Sequence, residues 1–229
     1  MQLSARRTAA DTTSSLKIDW GRCVTLARRG ASQAVRGWFA ESQVRGGRVD
    51  SAVGHLTPGS LRSTGIFRQT MWAAMVSGGA PVLIAAGFSD ALRQSWEAWF
   101  DGYEVTLAYP SLAVVEQAFA PPVANKPLLL SKGKSAADRW LRSAPLAATI
   151  EQALLAFAAQ PGTHAACAEF AGWFSECFSR WHSAVLLMNV LGSGPVPSYA
   201  PPDVPRGPVA GGTLSSLRPL FTDLGCFAP

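Results

Sequence analysis

Apolar side chains along this chain recur mostly at helical intervals. Trp20, Val24, Ala27, Ala31, Val35 and Trp38 follow one another at three- and four-residue steps, which predicts an amphipathic helix beginning near Ser14 or Ser15. At 100° per residue these positions share one face, with Arg22, Arg29 and Arg36 roughly opposite and Arg28 beside them. Gly21, Gly30 and Gly37 weaken that helix, each by about 1 kcal/mol relative to alanine. The alternation Leu16-Lys17-Ile18-Asp19-Trp20 also fits a strand.

Residues 44–66 carry Gly46-Gly47, Gly54, Pro58-Gly59 and Gly65, which predicts a long loop. Helical pieces are predicted over 67–76 and 81–87. A further helix is expected from Ser89 as N-cap, with Leu92, Trp96, Trp99 and Tyr103 on one face. A short helix over 111–119 should end at Pro121-Pro122. Leu128-Leu129-Leu130 is an apolar run that fits either a strand or a helix, and Ser135 with Asp138 resembles a capping box. Pro145 suits a first helical turn, followed by Leu146, Ile150, Leu154 and Phe157 at helical spacing. After the stop at Gln160-Pro161-Gly162, Thr163 can cap a last helix over 164–191. Its face runs Phe170, Trp173, Phe174, Cys177, Phe178, Trp181, Val185 and Met188.

At Gly192 the pattern breaks. Residues 192–212 are dense in proline and glycine, which favours extended, partly polyproline II backbone. Leu214, Leu217, Leu220 and Phe221 then return as apolar anchors suited to docking on a partner. The expected architecture is mainly α: a basic arm over 1–66, an irregular helical domain over 67–191, and a Pro/Gly-rich arm over 192–229.

Composition adds a bound and an asymmetry. With 229 residues, 48% hydrophobic, the chain can bury a core without staples, and it is too apolar to be wholly disordered. Residues 70–89 carry no charge, but Ser77-Gly78-Gly79-Ala80-Pro81 splits them, so a broken core segment is expected in place of a membrane span. The net charge of +5 is uneven: residues 1–68 hold 11 Lys and Arg against 4 Asp and Glu. A basic front of this kind suits an acidic partner, whether nucleic acid or protein. Asp90, Glu97, Asp101 and Glu104 share a helical face and form a candidate acidic docking stripe.

Candidate chemistry is sparse. Leu128 to Ser135 reads LLLSKGKS and approaches a phosphate-binding loop, but Leu128 stands where that loop needs its first glycine. His164, Cys167, Cys177 and His182 are zinc-ligand types, yet a single ion could reach all four only if the helix folded back near Gly172. The four cysteines, Cys23, Cys167, Cys177 and Cys226, are too sparse for a disulfide scaffold and are expected to be reduced. His55 stands alone in the glycine-rich stretch, and no GxSxG, HExxH, GxGxxG or CxxC occurs. No catalytic, metal or cofactor site is therefore expected, and no secretory signal opens the chain. These features fit a non-enzymatic structural or assembly subunit of a larger particle, of virion, tail or secretion type, in the cytoplasm or within the assembled particle. Its partners would be other subunits or copies of itself. A nucleic-acid-associated protein using the basic first 68 residues is the alternative, and a helical enzyme without a readable motif comes third.

Overall fold

The computed structural model describes residues 17–50, 53–109, 122–193, 199–200, 204–205, 210–222 and 225–227. The expected tail over 1–13, the expected helix over 111–119 and much of the Pro/Gly-rich stretch lie outside those residues.

Helix α1 (Trp20–Ala40) starts where Asp19 accepts a hydrogen bond from the Arg22 backbone N–H at 3.0 Å. Its buried positions follow the apolar pattern read from the sequence. Gly30 is no defect there: a Cβ on it would lie 2.9 Å from the Met71 carbonyl oxygen, so its absence lets α2 (Phe67–Ser77) cross at close range.

The stretch 44–66 is not one loop. With the two residues before it, it holds β1 (Ser42–Val44), β2 (Arg48–Asp50), β3 (Val53–Leu56) and β4 (Leu61–Ser63); Gly46-Gly47 and Pro58-Gly59 lie between strands, while Gly54 sits within β3, paired with Val49 and Leu107. β1 pairs with β4, while β2 and β3 enter the main sheet. Strands of three or four residues are too short for alternation to register in a sequence.

Helix α3 (Val82–Asp101) runs straight through the expected start at Ser89. Ser89 is buried, and its hydroxyl donates back to the Ala85 carbonyl at 2.7 Å, a satisfaction that needs no helix end. The apolar face formed by Ile84 and Phe88 continues without a break into Leu92, Trp96 and Trp99. Tyr103 instead opens β5 (Tyr103–Ala108).

Short elements follow: β6 (Val123–Ala124), β7 (Leu128–Leu129), β8 (Lys134–Ser135) and two 3-10 turns at Leu130–Lys132 and Asp138–Leu141. Helix α4 (Ser143–Ala153) leads through a 3-10 turn at Leu155–Phe157 to α5 (Thr163–Ala184). Helix α5 stops seven residues before the expected end at 191. The chain there turns into β9 (Leu186–Leu187) and β10 (Val190–Ser193), with Asn189 in the left-handed region at φ 59°. Consecutive apolar residues such as Val185-Leu186-Leu187 suit a buried strand as well as a helix. Beyond lie β11 (Tyr199–Ala200), β12 (Val204–Pro205), β13 (Ala210–Ser216) and a final 3-10 turn at Gly225–Phe227.

The expected mainly α class is therefore wrong. Beside the helices stands a curled, seven-stranded antiparallel sheet in the order β6-β10-β13-β2-β3-β5-β8. Strand β13, from the segment read as an extended arm, is the third strand of that order, paired on both edges between β10 and β2. The register sets Ser193, Thr213, Arg48, His55 and Thr106 opposite one another across five strands, so they form one polar row on one face. The opposite face buries Val49, Leu56, Val105, Leu107 and Leu214 in the same core that the helices line.

Ending the chain at Gly192 would remove β13, Phe221 and Phe227 together. The truncated protein is expected to lose its fixed tertiary structure. Near-UV circular dichroism and urea unfolding check this; a cooperative transition with an unchanged midpoint would show the segment to be dispensable.

Candidate functional site

The basic face of α1 is partly consumed by the fold. Arg22 donates to the Gly78 carbonyl at 2.8 Å, tying α1 to the α2–α3 turn. Arg28 pairs with Glu169 of α5 at 2.8 Å and lies over the Trp173 ring at 5.7 Å. Trp173, expected in the core, is thus only partly buried, whereas Trp181 is 2% exposed. Arg29 is exposed and Arg36 half-buried, and neither has an ion-pair partner among the described residues.

Each member of the acidic stripe meets a cation of this same chain. Asp90 pairs with Arg68, Glu97 with Arg93 at 2.7 Å, Asp101 with Arg62 at 3.3 Å and Glu104 with Lys134 at 3.2 Å. Exposed pairs of this kind contribute only ~0–1 kcal/mol each. They do cancel the net charge that a basic partner would seek.

Of the four C-terminal anchors, Leu214, Leu220 and Phe221 are buried inside the chain, and Leu217 alone is exposed, at 59%. Phe221 packs on Phe39 with ring centroids 4.6 Å apart, and Phe227 on Phe174 at 5.4 Å. Residues this deeply packed are not available to a partner while the fold is intact.

The zinc-type set is dispersed. Helix α5 is continuous through Gly172, so His164 and His182 lie near its opposite ends. No group of three His, Cys, Asp or Glu side chains among the described residues is arranged to hold a metal ion. The expectation of four reduced cysteines fails, because Cys177 and Cys226 form a disulfide across 49 residues of sequence. Such a separation carries no spacing signal; only the return of the C-terminal segment onto α5 brings the two sulfurs together. Cys23 and Cys167 are free and buried. Burial pushes the Cys167 thiol up to about 12, with the nearby Glu151 carboxylate adding to the shift. His164 Nδ1 lies 2.6 Å from Glu151 Oε1 on the open surface. A thiol held that firmly protonated is a poor nucleophile beside such a pair.

His182 presents a different environment. Its ring stacks on Phe178 at 5.3 Å and meets Trp99 edge-on at 5.9 Å. Its Nε2 is buried without a hydrogen-bond partner. Desolvation lowers its pKa, with Arg142 acting in the same direction and Asp138 against it. Asp138 itself accepts from Trp99 Nε1 at 2.7 Å.

The segment LLLSKGKS forms no phosphate cradle. Gly133 is required by Tyr103: a Cβ there would lie 2.3 Å from the phenol oxygen, which donates to the Leu130 carbonyl at 2.6 Å. The loop thereby closes over the ring and leaves Lys132 and Lys134 exposed on either side of the glycine.

Among the described residues, two surface cavities of about 500 Å³ each could take a ligand or a partner side chain. One, of about 500 Å³, is mainly apolar and lies where the start of α1, the α2–α3 turn and the Leu155–Phe157 turn meet. Ile18, Pro81, Val82, Leu83 and Phe157 line it, with Lys17 and Arg22 at its edge. The other, of about 540 Å³, is polar and lies on the outer face of the sheet, among Arg48, His55, Glu104, Thr106, Lys132 and Lys134. Sequence reading overlooked both. Val82 and Leu83 read as core because they continue an apolar run, and Arg48 and His55 read as loop. The alternation in β5, with Tyr103, Val105 and Leu107 inward and Glu104 and Thr106 outward, was the one signal available.

No family model matches this chain, and no curated protein or solved structure is significantly similar to it. Its site chemistry accordingly rests on the geometry above.

Two outcomes follow from that geometry. Cys226→Ser should lower stability by about 4 kcal/mol, the loop-closure value for a bridge spanning 49 residues. Urea unfolding with and without reductant checks this, and the two curves of the variant should coincide. For His182, a folded pKa below the unfolded value means that stability is full above the ordinary histidine range and is lost as pH falls through it. His182→Phe should remove that share of the acid sensitivity. Unfolding midpoints measured across pH 7 to 5 would reveal a slope unchanged by the substitution if the histidine is not responsible.

Proposed function

We propose that this chain is a non-enzymatic subunit of a larger protein assembly, and that it docks through the apolar groove at the start of α1 and α3. One observation carries the reading: Val82 and Leu83, at 55% and 67% exposure, stand side by side at the mouth of a cavity of about 500 Å³. Neighbouring exposed apolar residues around a concavity are characteristic of protein–protein contacts.

The rim indicates the partner's chemistry. Helix α3 begins after Pro81 with no side chain capping its N-terminus, so its first N–H groups favour an anion. Lys17 and Arg22 add positive charge, while Asp19 is engaged in capping α1. The groove therefore suits another protein subunit that presents an apolar side chain next to a carboxylate. Support for a non-catalytic role comes from the dispersed histidines and from the protonated, buried thiol of Cys167. The basic face of α1 gives less support to nucleic-acid binding, because Arg28 is paired with Glu169 within the chain.

Burying Val82 and Leu83 would contribute roughly 1.5–3 kcal/mol each to association. Protein purified from its own cells is expected to elute in an assembly of defined mass above the 24.2 kDa of the single chain. Leu83→Asp should keep the far-UV circular dichroism spectrum and shift the protein to monomer in light scattering. A wild-type chain that is monomeric in its native extract would rule the assembly role out.

A further inference from the structure

We infer that the partner received by the apolar groove is a second copy of this chain, in an isologous dimer where Leu155 of each copy enters the groove of the other. The inference rests on the docking role proposed for the groove and names its occupant.

The groove suits an apolar side chain beside a carboxylate, and this chain itself presents that pair. Leu155, in the 3-10 turn at Leu155–Phe157, is 63% exposed. Glu151 precedes it by four residues, near the end of α4, and both line a smaller surface cavity of about 280 Å³. A spacing of four residues in helical backbone sets two side chains on the same side. Glu151 Oε1 lies 2.6 Å from His164 Nδ1, while Oε2 has no hydrogen bond to a described residue. One carboxylate oxygen therefore stays open to a partner's cation.

Position and charge make this surface complementary to itself. One turn supplies both parts: Phe157 lines the groove, and Leu155, two residues before it, lines the smaller cavity. In a 3-10 turn such positions lie about 120° apart around the axis, so knob and groove flank the same turn. Helix α3 runs alongside. A Cβ on Gly87 would lie 2.4 Å from Leu154 Cδ2, and the exposed Leu83 stands one helical turn earlier. A two-fold axis passing between knob and groove lays the knob of each copy on the groove of the other, so both contacts form at once. The same rotation carries Glu151 to the rim that Lys17, Arg22 and the uncapped start of α3 make positive. Lys17 is exposed and has no ion pair among the described residues. Leu83 and Leu155, both left in solvent by the single chain, are each buried twice over in the dimer.

Analytical ultracentrifugation of the purified full chain, at concentrations up to about 100 μM, tests this. The wild type should be a dimer. Leu83→Asp in the groove and Leu155→Asp on the knob should each raise its dissociation constant by about tenfold or more. Circular dichroism establishes that each variant is folded. Mixed in equal amounts, the two variants should associate more tightly than either does with itself. Their mixed dimer keeps one intact contact, with Leu155 of the first chain in the groove of the second. Lys17→Glu and Glu151→Lys should each weaken the dimer, and the double variant should regain it. The inference is overturned if the purified wild type stays monomeric, if Leu155→Asp leaves the dimer intact, or if neither the mixture nor the double variant recovers. A purified monomer that still elutes in a larger assembly from its own cells overturns the second copy and leaves the docking role to a different subunit. A purified dimer indifferent to both Leu83→Asp and Leu155→Asp counts against the groove itself.

Discussion

The structure depends on the packing of aromatic rings around Trp96. This indole, fully buried in α3, has its ring 5.5 Å from Phe39 of α1, 5.7 Å from Phe67 of α2, and 6.0 and 6.2 Å from Phe174 and Trp181 of α5. Four helices thus share one contact centre. Edge-to-face and offset pairs of this kind add about 0.5–1.5 kcal/mol each beyond the area they bury. The C-terminal segment joins the same cluster, with Phe221 on Phe39 and Phe227 on Trp181 at 6.4 Å. A cluster that joins Phe39 of α1 to Phe221 and Phe227 makes α1 and the described C-terminal residues part of one core.

That constraint explains the disulfide and the central strand. Once Phe227 is seated beside α5, Cys226 is held next to Cys177, and the bridge fastens what the rings have already positioned. Strand β13 lies inside the sheet and connects β10, which follows α5, with β2, which follows α1. Between β10 and β13 the chain also forms the two-stranded pair of β11 with β12.

Charge is spent in the same economical way on internal contacts. Arg22 and Arg28 of α1 tie it to the α2–α3 turn and to α5, and the acids of α3 and β5 are neutralised locally. The apolar groove at the start of α1 and α3 keeps Val82 and Leu83 exposed, with Lys17 and Arg22 at its rim.

The sequence by itself determined the amphipathic faces of the helices, but neither the start of α3 nor the end of α5. The period of α1, the aromatic face of α5 and the burial of Leu146 and Ile150 in α4 follow from spacing, because a helix's neighbours lie three or four residues away in the chain. It also identified most of the core aromatics and the residue types around Lys132 and Lys134. The sheet was decided only in the tertiary structure. Each of its strands is seven residues or shorter and is paired with partners that can lie more than a hundred residues distant, as β13 is with β2. The fates of Leu214, Leu220 and Phe221 were decided there too, since an apolar residue after a proline-rich stretch reads the same whether it covers its own core or a neighbour's. The same holds for Arg48 and His55: side chains in three- and four-residue strands acquire a common face only when the register sets them opposite one another.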